Sequence, residues 1–257
     1  VNQPRTAAAL IIGNELLTGK IQDANVAVLA RELFGLGVAL RRVVFCPDEV
    51  GIICRDLDAL RHDHDYVFTT GGVGPTHDDV TMEAVARAFG QRLVSSPEIE
   101  GLLREYFGER CTRRHLRLAR VPEETRLVTA STGRWPVVRV GNVFVLPGLP
   151  EVFRRKLPVL REHLGGGVPF VSKAVAMRAD EGEIAGLLER ISDAHPAVAI
   201  GSYPRWGDDL VRVVVTFDGR APEEVDRAMA ALIEALPPDQ IFDGESADVR
   251  AQTGVPT

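Results

Sequence analysis

The residues best suited to chemistry stand in one stretch, Gly71-Gly72-Val73-Gly74-Pro75-Thr76-His77-Asp78-Asp79-Val80-Thr81. Glycines that directly follow a buried strand let the backbone turn sharply and bring its N–H groups against a phosphate. A helix opening just after them adds a favourable dipole for an anion. Two adjacent carboxylates in the same turn would repel that anion. One chemistry reconciles them: a divalent metal that bridges carboxylate and phosphate oxygens, since hard oxygen ligands suit Mg²⁺. The competing reading makes one of Asp78 and Asp79 the N-cap of a helix beginning near Val80. Both hold if the two aspartates divide the roles. Thr81 and Glu83 fit a first helical turn without further function, and His77 fits either an exposed loop residue or a base.

Three further segments are expected at the same sheet edge. Pro47-Asp48-Glu49 follows the second apolar run, so Asp48 is placed to converge with Asp79 on one metal, or else to cap a helix from Val50. Gly13-Asn14-Glu15-Leu16-Leu17-Thr18-Gly19 is a polar loop between glycines that offers Asn14 and Glu15 to a ligand, while Asp23 beyond it reads as a cap. Pro147-Gly148-Leu149-Pro150 is either another anion-friendly helix start or a plain turn. Arg113 and Arg114, beside His115 and Arg117, fit a solvated helix face or a grip on substrate phosphate.

The elements that must position these residues are legible from periodicity. Ala7–Ile12, Val38–Phe45 and Tyr66–Thr70 read as strands, and Ala24–Leu36, Val50–Leu60 and Val80–Phe89 as helices. Strands alternating with helices of this length predict an α/β fold with a doubly wound, mostly parallel sheet. Pro97–Arg120 reads as two helices. Leu127–Val128, Val137–Val140 and Val143–Leu146 read as strands, the last two joined at Gly141-Asn142, where both residues tolerate positive φ. A helix over Glu151–Leu164 closes the first domain, and Gly165-Gly166-Gly167 is the best linker. Beyond it, strands at Phe170–Met177, Ala197–Ile200 and Leu210–Phe217 with helices at Glu181–Ile191 and Pro222–Leu236 predict a second, smaller α+β domain. The expected boundaries are 1–166, 167–243 and a frayed tail, 244–257.

Composition narrows the function classes. The 257 residues carry 30 Lys+Arg against 36 Asp+Glu, a formal charge of −6, which argues against non-specific grip on a nucleic-acid backbone. Three cysteines, Cys46, Cys54 and Cys111, show no CxxC spacing, so neither a disulfide framework nor a zinc site is expected. No apolar run approaches the ~18 residues of a bilayer span, and residues 1–9 lack a secretory pattern. A cytoplasmic protein with no membrane and no nucleic-acid partner is expected.

Together these residues resemble the molybdopterin-binding (MoaB/Mog-like) superfamily, and more closely the N-terminal half of CinA, the competence/damage-inducible protein. The matching words are Gly13–Gly19 with Asp23 and Asn25, the Thr70–Asp79 loop with Thr81-Met82-Glu83-Ala84, and Leu146-Pro147-Gly148-Leu149-Pro150. Glu181-Gly182-Glu183-Ile184-Ala185 and Gly201-Ser202-Tyr203-Pro204 resemble words of that family's small, KH-like domain. No Gly-x-x-Gly loop accompanies them, so RNA binding is not inferred. Trp135–Val143 followed by Leu146-Pro147-Gly148 is similar to the molybdopterin-binding-like domain of FAD synthases. A chain of this length is expected to hold neither a FAD-synthase nor a deamidase domain.

What the resemblance implies is a divalent-metal-dependent nucleotide pyrophosphatase acting on a dinucleotide such as FAD or ADP-ribose. Asp48 and Asp79 would serve as catalytic metal ligands, for Mg²⁺ first and Mn²⁺ or Co²⁺ as alternatives. Gly71, Gly72 and Gly74 would cradle phosphate, with Asn14, Glu15, Asp78 and Gly148 as further ligand contacts. The same parts suit adenylyl transfer to molybdopterin, or a sensor that binds a pterin or nucleotide phosphate without turnover. A homo-oligomer is expected.

Overall fold

The computed structural model describes residues 3–164, 167–207 and 210–242. The chain divides into two compact units, Val1–Gly167 and Val168–Thr257. Gly165 and Gly166 of the expected linker and all of the expected tail lie outside the described residues.

In the first unit, strand β1 (Arg5–Ile12) is followed by a single helical turn α1 (Asn14–Leu17), helix α2 (Val26–Gly35), β2 (Val38–Cys46), α3 (Val50–Asp63), β3 (Tyr66–Thr70) and α4 (Thr81–Ala88). A short strand β4 (Leu93–Ser95), α5 (Pro97–Phe107), two 3-10 turns (Gly108–Arg110 and His115–Ala119) and β5 (Arg120–Pro122) form an excursion. The chain then returns through β6 (Arg126–Val128), β7 (Val137–Val140), β8 (Val143–Leu146), α6 (Pro150–Arg154) and α7 (Leu157–Leu164). The sheet order is β2-β1-β3-β8-β7-β6. Pairs from β2 to β8 are parallel, whereas β8–β7 and β7–β6 are antiparallel.

The apolar run in β1 has a simple cause. Side chains alternate between the two faces of a strand, and both faces are covered. Ala8, Leu10 and Ile12 join a core with Ile53, Leu57, Ala84 and Val85 from α3 and α4. Ala7, Ala9 and Ile11 join another with Leu29, Leu33, Leu157 and Leu160 from α2 and α7. A strand buried on both sides therefore reads as a near-continuous apolar run.

Four expectations are corrected. The Gly13–Gly19 loop contains the α1 turn. The second helix expected before Arg120 is replaced by the two 3-10 turns, with β4 and β5 pairing as a three-residue antiparallel ribbon. Glu151–Leu164 divides into α6 and α7, because Pro158 has no N–H for the carbonyl of Arg154 and its ring crowds that carbonyl. At the β7–β8 turn only Gly141 has positive φ, while the Asn142 side chain donates to the carbonyls of Arg61 (2.9 Å) and His64 (2.8 Å).

The second unit holds β9 (Val171–Met177), α8 (Glu181–Ala194), β10 (Ala199–Pro204), β11 (Val213–Gly219) and α9 (Pro222–Ala235). Its antiparallel sheet has the order β10-β11-β9. Val175, Val213, Val215 and Phe217 pack there with Ile184, Ile191, Val225 and Leu232 of the two helices. Among the described residues no helix is long and apolar enough to cross a membrane.

Candidate functional site

At the carboxyl ends of the parallel strands lies a cavity of about 650 Å³, inside the range of roughly 300–1,000 Å³ for small-ligand clefts. Its walls are Glu15 and Leu16 of α1, Ile21–Asn25, Thr70–Gly74, Asp79, Leu118 and Pro147–Pro150. The site therefore falls where open α/β sheets bind ligands, beyond the strand ends.

The glycine loop is shaped by backbone packed on backbone. Gly71 has φ +102°, and a Cβ there would collide with the carbonyl oxygen of Ile12. A Cβ on Gly148 would come 3.0 Å from the Cα of Gly71, so the two glycine turns lie against each other. Thr81, wholly buried, fixes the loop from the helix side. Its Oγ1 donates to the carbonyl of Gly71 at 2.8 Å, and its N–H donates to the carbonyl of Gly72 at 3.0 Å.

Asp79 has a structural task that its sequence position does not reveal. Oδ1 accepts the N–H of Gly74 at 2.6 Å, and Oδ2 accepts both the N–H of Thr76, at 2.8 Å, and its hydroxyl. The residue at the N-cap position of α4 is Val80, with no side-chain cap. The capping expectation for Asp78 or Asp79 is thus corrected: Asp79 turns back into its own loop, out of reach of the first helical N–H groups. Gly74 is corrected with it, because its N–H is already given to Asp79 and is not a free donor for phosphate.

Asp48 does not cap α3 either; Glu49 occupies that position without a side-chain bond. Instead Asp48 Oδ2 accepts the N–H of Asn14 at 2.8 Å, joining the loops after β1 and β2. Burial pushes the Asp48 carboxyl above the ordinary carboxylate range, the Asn14 N–H opposes the rise, and the negative charges of Glu15, Asp78 and Asp79 add to it. Asp78 is exposed, and its carboxyl lies below the ordinary carboxylate range, with the nearby Thr76 side chain as the leading cause. Of the sequence candidates, Glu15, Gly71, Gly72, Gly74, Asp79 and Gly148 line the cavity, whereas Asn14, Asp48 and Asp78 lie beside its walls. Asp23 Oδ1 accepts the N–H of Val26, the first residue of α2, as a cap would.

Asn25 is the principal site residue that the sequence reading left unassigned. Only 4% exposed, it donates through Nδ2 to Thr70 Oγ1 at 3.0 Å and to the carbonyl of Gly148 at 2.8 Å. Thr70 in turn donates to the carbonyl of Pro147 at 3.0 Å. One amide thus ties the start of α2, the end of β3 and the turn after β8. Among the described residues its Oδ1 is buried without a hydrogen-bond partner, a costly state for an amide oxygen unless a ligand or water supplies a donor. A polar residue one step before an apolar helical repeat was the available signal.

The donor set fits a hard divalent cation in part. Among the described residues no group of three or more His, Cys, Asp or Glu gathers to hold a metal alone. Carboxylate oxygens offer about two acceptor positions each, so Asp79 Oδ1 retains one, and Asp48 Oδ1 has no hydrogen bond among the described residues. A cation here would complete its shell with ligand phosphate oxygens, which is how Mg²⁺ is commonly held.

Fold and site define a doubly wound α/β protein with a glycine-loop cavity at its strand ends. Residues 8–163 match the family described as probable molybdopterin binding domain, and residues 169–245 match the FAD synthase middle domain. The chain belongs to the molybdopterin-binding superfamily of MoaB/Mog-like and CinA-like proteins. It is 34% identical to a protein of Archaeoglobus fulgidus over 88% of this chain and 95% of that one. It is 28% identical to a probable FAD synthase of Caenorhabditis elegans over 91% of this chain, spanning 50% of that protein. The crystal structure of the protein CinA from Thermoplasma acidophilum, of unknown function, aligns with a TM-score of 0.57 at 26% identity, covering 63% of this chain and all of that one.

Two motif words of the second unit turn out to be fold words. Asp180 and Glu183 form a reciprocal capping box at the start of α8, and Glu181 accepts the hydroxyl of Ser202 from β10. These contacts account for Glu181, Glu183 and Ser202.

Proposed function

We propose that this protein is a divalent-metal-dependent nucleotide pyrophosphatase that cleaves a dinucleotide such as FAD or ADP-ribose in the Gly71–Gly74 cavity. The observation that carries the reading is the pairing of two matches in order along the chain. A molybdopterin-binding domain followed by a FAD synthase middle domain aligns 91% of this chain with half of a probable FAD synthase. FAD is the dinucleotide that relative's name supplies.

In this reading the loop Gly71–Val73 lies along the phosphates, with the start of α4 behind it. Asp79 holds the loop shut on itself, Thr81 buttresses Gly71, and Asn25 keeps the Pro147-Gly148 turn against it. Asp48 and Asp79 would hold a divalent cation, with Mg²⁺ first and Mn²⁺ or Co²⁺ as alternatives. When bound, that cation would neutralise charge developing on phosphate oxygens. Attack of water on one phosphorus forms one P–O bond and breaks the bridging P–O bond, giving two monophosphates and releasing a proton to solvent.

The description of residues 8–163 as a probable molybdopterin binding domain favours a second reading, adenylyl transfer to molybdopterin. A panel of FAD, ADP-ribose, NAD and ATP with molybdopterin, each with Mg²⁺, Mn²⁺ and Co²⁺, separates them. Two monophosphates from FAD or ADP-ribose, without an acceptor, are expected. AMP attached to molybdopterin, with both dinucleotides left intact under every metal, would replace hydrolysis by transfer. Nucleotide binding without any product would leave a sensor.

A further inference from the structure

Between Arg110 and Arg120, five of eleven residues are arginine and none is acidic, in a chain whose formal charge is −6. Arg110, Arg113, Arg114, Arg117 and Arg120 are all exposed. None makes an ion pair or side-chain hydrogen bond among the described residues, although acidic side chains outnumber basic ones in the sequence.

This segment is anchored. The His115 ring stacks on Phe107 with centroids 4.0 Å apart and planes at 15°. The N–H of Thr112 donates to His115 Nδ1 at 3.0 Å, and the N–H of His115 donates back to Thr112 Oγ1 at 3.4 Å. Ala119 is fully buried and its carbonyl accepts the N–H of Ser96 at 2.8 Å. Leu116 and Leu118 pack against the core. The backbone is therefore held on the protein while five like charges remain crowded and uncompensated.

What separates this run from an ordinary solvated face is Leu118. It stands between Arg117 and Arg120 and is a wall of the cavity. Glu15, Asp23 and Asp79 are acidic walls of the same cavity. A phosphate ester entering it meets carboxylates that repel it unless a cation intervenes, whereas the chain that carries Leu118 also carries Arg117 and Arg120, exposed cations outside the cavity walls whose charge would attract it. Guanidinium forks suit phosphate oxygens through paired hydrogen bonds.

We infer that the Arg110–Arg120 segment is a second anion-holding site, one that grips a phosphate of a nucleotide ligand at the Leu118 edge of the cavity. The inference rests on the reading that the cavity takes a phosphate ester. The segment then supplies binding and orientation, and the glycine loop supplies the reaction centre.

The test is isothermal titration calorimetry of the full chain with ADP-ribose and with inorganic pyrophosphate, in EDTA. The variants are R113E/R114E/R117E and the conservative R113K/R114K/R117K. The glutamate variant should raise Kd for both probes at least about tenfold, a change of about 1.4 kcal/mol. It should also flatten the salt dependence of binding, since fewer attractive charges are left for salt to screen. The lysine variant should retain most of the affinity. If the triple glutamate variant does not fold, R117E alone carries the comparison. Unchanged affinity in the glutamate variant would overturn the proposal. So would arginine-dependent capture of a single-stranded oligonucleotide without any binding of pyrophosphate. Arginine-dependent pyrophosphate binding without cleavage of any dinucleotide would support the segment and remove the pyrophosphatase. Cleavage with an unchanged KM in the glutamate variant would do the reverse.

Discussion

The Asp79 carboxylate holds the N–H of Gly74 at 2.6 Å, five residues back along its own loop. With the two bonds from Thr76, this makes Asp79 the clasp of the loop as well as a candidate cation ligand. Asp79→Ala should therefore loosen residues 74–79 and weaken ADP-ribose binding at least about tenfold, about 1.4 kcal/mol. Stability should fall by only about 1–3 kcal/mol, the range for hydrogen bonds to a charged group. Calorimetry and urea unfolding on the same preparation check both. Full binding by Asp79→Ala would remove this residue from the site.

Asn25→Ala removes two hydrogen bonds made by one buried amide and leaves the carbonyl of Gly148 without its donor. A stability loss of about 1–3 kcal/mol is expected, because two hydrogen bonds of roughly 0.5–1.5 kcal/mol each are lost. Asn25→Asp should be worse, since it presses a buried carboxylate toward that same carbonyl. Equal urea midpoints for the wild type and Asn25→Ala would show that the latch contributes nothing.

The contact between the two glycine turns predicts an order of severity. Gly148→Ala must move Gly71 by a few tenths of an ångström and should cost about 1–3 kcal/mol, as overpacking does. Gly71→Ala combines a clash with the Ile12 carbonyl and a φ of +102°, so it should be the more damaging. Thermal unfolding of the two variants side by side tests the ranking.

Lys156 supplies the pH dependence. Its ammonium donates to the carbonyls of Trp135 (2.8 Å) and Pro136 (3.0 Å), and burial pulls its pKa from 10.5 down to about 8. Below pH 8 the lysine is charged in both folded and unfolded chains, and the cost of burying that charge is fully present. Between pH 8 and 10.5 the folded chain loses its proton first, so stability rises with pH. The rise should be on the order of 1–3 kcal/mol over the window, given 1.36 kcal/mol per pKa unit and opposition from the two carbonyl bonds. Urea midpoints at pH 7, 8.5 and 10 should show it for the wild type, with a flatter profile for Lys156→Met. Parallel profiles would refute the assignment.

Much of the architecture follows from residue order alone. Tyr66–Thr70, Val137–Val140 and Val143–Leu146 are strands to the residue, because short runs of apolar and β-branched side chains, broken only by Arg139, suit a strand of a mostly buried sheet. Placement of the Gly71–Asp79 loop at a strand's carboxyl end was legible for the same reason. The ribbon of Leu93–Ser95 and Arg120–Pro122 was not, since three residues are too few to show a period. Nor were the 3-10 turns around Arg110–Ala119, whose apolar spacing matches a helix but whose hydrogen bonds do not continue as one.

The amino-acid sequence by itself determined which residues would gather at the sheet edge, because side-chain period and strand order dictate where each loop emerges. Only the tertiary structure decided what those residues do there. Asp79 and the caps it was expected to supply are separated by the direction its side chain turns, which no spacing records. Asn25 reaches Gly148 across 123 residues, and Gly71, much further along the chain, meets Gly148 across a shorter gap. Such contacts exist only after β1, β3 and β8 have paired in parallel, for the pairing brings three loops to one edge and leaves their backbones close enough to touch.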